Sequence, residues 1–211
     1  ADVKQAMGPD ALLVGNSIRD GPGYYAEGAG RFLAVLDGVV AEGYKGPLTR
    51  DTLFYPKESE WIKNVDVLVD VQSQGKYFLA IAKYDKNRVT SQEDLSQHVM
   101  FTLATFMLGR GEGDSSAFSY VYFDPEDTDA SENPYLPYFH TELGRPLAAY
   151  YKKNGAYQRD FAKWKIIVNP TTQSANVPLE KEYVTLEGEK VSSVNMPAHT
   201  GLILTKPRDW S

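Results

Sequence analysis

The chain has 211 residues, a formal net charge of −6 at pH 7, 42% hydrophobic and 24% charged residues, and no cysteine. That balance is the one of a folded globular protein and excludes a disordered chain, while the missing thiols exclude disulfides, thiolate metal sites and a cysteine nucleophile. An acidic chain argues against a nucleic-acid partner, no apolar run approaches the ~20 residues of a membrane helix, and the opening Ala1-Asp2-Val3-Lys4 lacks the apolar segment of a secretory signal.

Residues 1–7 read as the last turns of a helix, with Gly8 as the stop and Pro9 just beyond. Residues 11–14, Ala-Leu-Leu-Val, are a continuous apolar run of the kind buried on both faces of a parallel sheet, ending at Gly15-Asn16. Residues 24–35 read as a helix weakened by Gly28 and Gly30. A second apolar strand over 36–41 runs straight into Glu42-Gly43-Tyr44. Residues 56–75 predict a helix with Trp61, Val65, Leu68 and Val69 at helical spacing. A third strand over 77–82 continues to Lys83-Tyr84-Asp85. Thr90-Ser-Gln-Glu93 predicts a capping box, followed by a helix with Leu95, Val99, Leu103 and Phe106 on its buried face and its end near Gly109. A fourth strand is expected over 117–123. Strand and helix therefore alternate through residue 123, the pattern of a parallel sheet with helical crossovers, belonging to an open doubly wound domain or to part of a barrel.

The chain then changes character. Residues 124–133 are a polar loop with five acids, Asp124, Glu126, Asp127, Asp129 and Glu132. It lacks the order and the glycine of a calcium loop and reads as a solvated segment. A short helix is expected over 143–151. Beyond residue 156 the period is two, with strands expected at 157–161, 164–169, 174–179, 182–186, 191–195 and 201–205 and turns at Asn154-Gly155, Asn169-Pro170 and Glu187-Gly188. Net charge follows the same division, −9 over 1–145 and +3 over 146–211. The expected organisation is an α/β domain over 1–150 and a small antiparallel β domain over 151–211, too small to stand alone and leaning on the first.

Several segments in order resemble a known group. Gly155-Ala-Tyr-Gln-Arg-Asp-Phe161, Ile166-Ile-Val-Asn-Pro170, Tyr183-Val-Thr-Leu-Glu-Gly188 and Val194-Asn-Met-Pro-Ala-His-Thr-Gly-Leu-Ile-Leu204 resemble the accessory domain that follows a (β/α)8 catalytic barrel in many glycosidases. Pro9-Asp-Ala-Leu-Leu-Val-Gly-Asn16, the stretch from Leu36 to Tyr44, and Leu143-Gly-Arg-Pro-Leu147 are similar to proteins grouped as a hypothetical glycosyl hydrolase family. The resemblance implies an α/β fold comprising the second half of a (β/α)8 barrel, followed by an antiparallel β-sandwich-like domain. A complete barrel needs about 250 residues, so a fragment, a second chain or an unusual half-barrel is implied, with the N-terminal half on the same precursor or on another chain. It also implies a carbohydrate partner, an extracellular or periplasmic location with a cytoplasmic one still open, and chemistry that needs no cofactor or metal.

In such a barrel the catalytic groups stand at the C-terminal strand ends. Those positions are Asn16, Glu42, Lys83 with Asp85, and Tyr122 with Asp124. Glycoside hydrolysis uses two carboxyl groups, one giving a proton to the leaving oxygen and one attacking the sugar or activating water. Glu42 is the catalytic candidate, as acid/base or nucleophile, because burial beyond an apolar strand would favour a working acid. The competing reading has Glu42 capping the loop or pairing with Lys83 or Arg19. Tyr44 would stack on a sugar ring, and Asn16, Lys83, Asp85, Tyr122 and Asp124 would complete substrate binding. Asp37, at the wrong strand end, reads as a structural contact. His98, expected on a partly exposed helix face, His140 and His199 match no metal spacing. The glycines of 109–113 and of Gly21-Pro22-Gly23 read as loops rather than phosphate cradles. A non-catalytic carbohydrate-binding or assembly module, and an open α/β domain of unrelated function, are the alternatives.

Overall fold

The computed structural model describes residues 2–8, 10–18, 20–26, 28–44, 55–84, 91–113, 115–122 and 142–207. Helix α1 (Asp2–Met7) ends at Gly8, whose φ of 99° suits a residue without Cβ. Four strands, β1 (Val14–Ile18), β2 (Gly38–Glu42), β3 (Tyr77–Tyr84) and β4 (Ser116–Tyr122), form one parallel sheet in chain order. The crossovers are α2 (Gly21–Ala26) with a 3-10 turn (Ala29–Ala34), α3 (Glu58–Ser73) and α4 (Gln92–Gly109). Helix α2 touches α3 and α3 touches α4, so the helices stand in a row along the sheet.

Several local expectations need correction. The run over 11–14 is not a doubly buried strand: Leu12 is 62% exposed, and the strand begins three residues later as a mostly polar edge. The expected helix over 24–35 is broken at Gly28, whose φ is 65°. Gly21-Pro22-Gly23 is not a loop but the first turn of α2, capped by Asp20 Oδ1, which accepts from the Gly23 amide at 2.7 Å. Val69 is exposed rather than part of the buried stripe of α3. The cap of α4 is Ser91, one residue beyond Thr90, with its hydroxyl accepting from the Asp94 amide at 3.1 Å. His98 is 1% exposed, not partly exposed, because α4 is covered on both sides. No helix forms over 143–151: Gly144 has a φ of 73°, and Pro146 bridges to Phe161, so this stretch lies along the next sheet.

That next sheet has six antiparallel strands in the order β5-β6-β7-β10-β8-β9. They are β5 (Tyr151–Lys153), β6 (Ala156–Asp160), β7 (Trp164–Asn169), β8 (Ala175–Val184), β9 (Lys190–Met196) and β10 (Thr200–Thr205). Strand β8 merges two expected strands across an irregular register between Pro178 and Tyr183. Asn154 and Gly155, at φ 54° and 80°, make the tight turn from β5 to β6. Alternation divides the side chains of β7 and β10 between two cores. Ile166, Val168 and Ile203 join the core that includes Phe101, Leu103 and Leu108 of α4. Ile167 and Leu204 face the other way and meet Val177, Tyr183 and Met196, so the sheet curls until β8 and β9 cover its own back. Asn169 fastens that curl, its buried amide donating to the carbonyls of Gln173, Met196 and Pro197 at 2.7–3.0 Å.

The terminal sheet therefore leans on the α/β part. Trp61 of α3 is fully buried, donates to Thr105 Oγ1 at 3.0 Å, and lies 4.8 Å from the ring of Tyr157 on β6. Buried Arg159 donates to the carbonyls of Leu108, Arg110 and Ala148. At Gly201, a Cβ would meet the Met100 carbonyl at 2.4 Å, a direct measure of how closely β10 approaches α4. Carboxylates of α3 take tyrosine hydroxyls: Tyr24 donates to Asp70, Tyr150 to Asp66, and Tyr157 to Glu58.

Candidate functional site

The C-terminal edge of the parallel sheet is assembled from β1 and β2. Val14 pairs with Gly38 and Gly15 with Val39, but Ile18 pairs with Ala41. Two residues, Asn16 and Ser17, thus oppose Val40 alone, which is a β-bulge. The bulge resets the alternation of β1. Ile18 turns into the core with Ala41, while Asn16 stays exposed on the side of Val40 and Glu42. Asn16 Nδ2 then donates to Glu42 Oε2 at 2.9 Å. The last residue of β2 and the middle of β1 are joined, although the strand was expected to stop at Asn16.

Beyond Glu42 the chain turns at Gly43, whose φ is 104°. Both Gly43 N and Tyr44 N donate to the Ile81 carbonyl of β3, at 2.8 and 3.2 Å. The turn sends Tyr44 inward, which overturns the expectation that it stacks on a sugar. Its side chain is 1% exposed and packs edge-on against Phe78 and Phe106. Burial, helped by the negative charge of Asp66, pushes its phenol well above the ordinary value. Tyr44 is a core residue packed on Phe78 and Phe106, not a surface platform.

Glu42 itself is exposed, so the burial invoked to raise it as an acid is not present in this chain. Lys83 lies two residues beyond Ile81, the register partner of Glu42, and Tyr122 pairs with Tyr84 at the end of β4; the side chains of Lys83 and Tyr122 lie outside the described residues. Asp85, Asp124, the acidic loop and His140 also lie outside them. Asp37 is the structural contact expected, 2.6 Å from Lys4 Nζ and accepting from the Leu13 amide at 2.9 Å. The Lys4 ammonium first, then that amide, hold its carboxyl below the ordinary value. Asp20 was missed, and its signal was local: an aspartate just before a helical turn. It too follows a strand, but it is buried and caps α2, which leaves Glu42 as the exposed strand-end carboxylate among the described residues. No group of three or more metal-ligating side chains occurs among those residues.

A cleft of about 230 Å³ lies at the other end of the sheet, between the C-terminus of α4 and the terminal sheet, lined by Arg110, Glu112, Glu142 and Phe161. Among the described residues no helix is long and apolar enough to cross a membrane.

This arrangement, a parallel sheet followed by a curled antiparallel sheet, is similar in fold to part of a solved carbohydrate-active enzyme. The chain is similar to CldA, described as the first cyclomaltodextrin glucanotransferase with a three-domain ABC distribution, at a TM-score of 0.51 and 12% identity, over 96% of this chain and 52% of that one. The likeness is one of fold, and this chain spans about half the length of that protein. The chain belongs to hypothetical glycosyl hydrolase family 15, whose model matches residues 1–165. No curated protein matches it.

Proposed function

We propose that the chain forms half of a (β/α)8 glycosidase barrel with a sandwich-like accessory domain over 151–211, and that Glu42 is its catalytic carboxylate on a polysaccharide. One observation carries the reading: Glu42 ends a parallel strand, exposed and hydrogen-bonded to Asn16 of the neighbouring strand. Strand order supports the barrel, because four parallel strands in sequence with touching crossovers lack the switch point of an open doubly wound sheet. The remaining strands come from other polypeptide, and the second carboxyl group from there or from Asp85 or Asp124. Lys83, Tyr122 and Asn16 flank the site. A polysaccharide substrate favours an extracellular or periplasmic location over a cytoplasmic one.

Glu42→Gln tests the reading on a panel of soluble polysaccharides that includes a cyclomaltodextrin. Hydrolysis falls by about 10³-fold while binding is kept. Unchanged hydrolysis in the variant sinks the assignment. A second reading, a carbohydrate-binding module without catalysis, is favoured by the exposure of Glu42; it predicts binding by both forms and hydrolysis by neither.

A further inference from the structure

We infer that Asn16 is a positioning residue that fixes the part Glu42 plays: Glu42 enters the reaction as a carboxylate, nucleophile or general base, and the proton donor is a different group. This rests on the reading of Glu42 given above and goes beyond it. The bulge is the first support. A regular strand would pair Ile18 with Glu42; the extra residue instead turns Ile18 into the core and leaves Asn16 as the β1 side chain beside Glu42, its Nδ2 2.9 Å from Oε2. Bulges of this kind re-aim a side chain. At Gly15, just before the bulge, β1 lies against the Leu36 side chain, whose Cδ1 would be 2.7 Å from a Cβ there. The direction of the bond is the second support. Asn16 Nδ2 only donates, and a charged acceptor makes the stronger bond, so the contact favours the carboxylate over the neutral acid.

The chemistry balances in either role. As nucleophile, a Glu42 oxygen bonds to the anomeric carbon as the bond from that carbon to the leaving oxygen breaks. The released electron pair stays on that oxygen, which takes a proton from a second carboxylic acid. As base, Glu42 takes a proton from the attacking water, and the same second acid protonates the leaving group.

A ¹³C NMR titration of the Glu42 carboxyl carbon in the full chain, assigned by its loss in Glu42→Gln, tests this without any substrate. In the unchanged chain Glu42 is a carboxylate at neutral pH. Asn16→Ala raises its titration midpoint by about half a pH unit, and Asn16→Asp raises it further because a like charge replaces the donor. Asn16 is an exposed residue of β1, so neither variant threatens the fold. The acidic limb of kcat/KM moves with the midpoint in both variants. A Glu42 protonated at pH 7, or a midpoint unmoved in both variants, overturns the proposal. If the midpoint moves but Glu42→Gln hydrolyses normally, the hydrogen bond stands, Glu42 is not catalytic, and the role given to Asn16 falls with it.

Discussion

The two sheets solve the same burial problem in opposite ways. The terminal sheet covers both of its faces: one packs on α4, and the other is closed by its own β8 and β9 around Ile167, Val177 and Leu204. The parallel sheet has its row of helices and sends Val39, Ala41, Phe78 and Ala80 into the core. Its alternate residues, Val14, Asn16, Val40 and Glu42, are left half-buried or exposed. Parallel sheets are ordinarily covered on both faces. The terminal sheet closes on itself, whereas the parallel sheet leaves polar strand ends open, and those are the ends at which we propose the chemistry.

The sharpest way to break that contrast is to cut the core the sheets share. Trp61→Ala removes a fully buried ring seated between α4 and Tyr157, and costs about 3–5 kcal/mol. Denaturant unfolding followed by tryptophan fluorescence and by far-UV circular dichroism then shows one transition, moved as a whole; two separate transitions would mean the sheets fold independently. Asn169→Ala acts on the terminal sheet alone. It strips the buried Met196 carbonyl and the part-buried carbonyls of Gln173 and Pro197 of their donor, with a loss of about 2 kcal/mol in the same assay and faster amide exchange in the β9–β10 connection. The smallest effect is the acid sensitivity of the α1 tether. Asp37 is held below its ordinary 3.8 by Lys4 and the Leu13 amide. A group depressed on folding contributes stability that is complete above its unfolded value and is lost as pH falls through the folded one. Exchange protection of the Gly8 amide, which closes α1 on the Lys4 carbonyl, therefore weakens only below about pH 4, and Asp37→Asn abolishes that dependence.

How much of this was legible follows the same division. The strands β2, β3 and β4 read directly, because a buried parallel strand is an uncharged apolar run. The edge strand β1 did not: its residues are Val-Gly-Asn-Ser-Ile, and the apolar run before it faces solvent. The period of two located β6, β7, β9 and β10, while the three residues of β5 are too few to show a period. At the site, Glu42 was legible as the polar residue ending an apolar strand. The fate of Tyr44 was not, because it depends on the backbone turn at Gly43 and on a space between Phe78 and Phe106 that only the packed core creates. Nor could a sequence show the bulge that turns Ile18 away and leaves Asn16 beside Glu42, since a bulge is a relation between two strands. His98 misled for a similar reason: a helix covered by a sheet on either side has no wet face to predict.

The claim that matters most is that the open strand end does chemistry through Glu42. Hydrolysis of soluble polysaccharide by the native protein and by its Glu42→Gln variant, with binding measured in parallel, addresses it directly. Hydrolysis reduced about 10³-fold with binding retained is the predicted result; equal hydrolysis by the two proteins contradicts it.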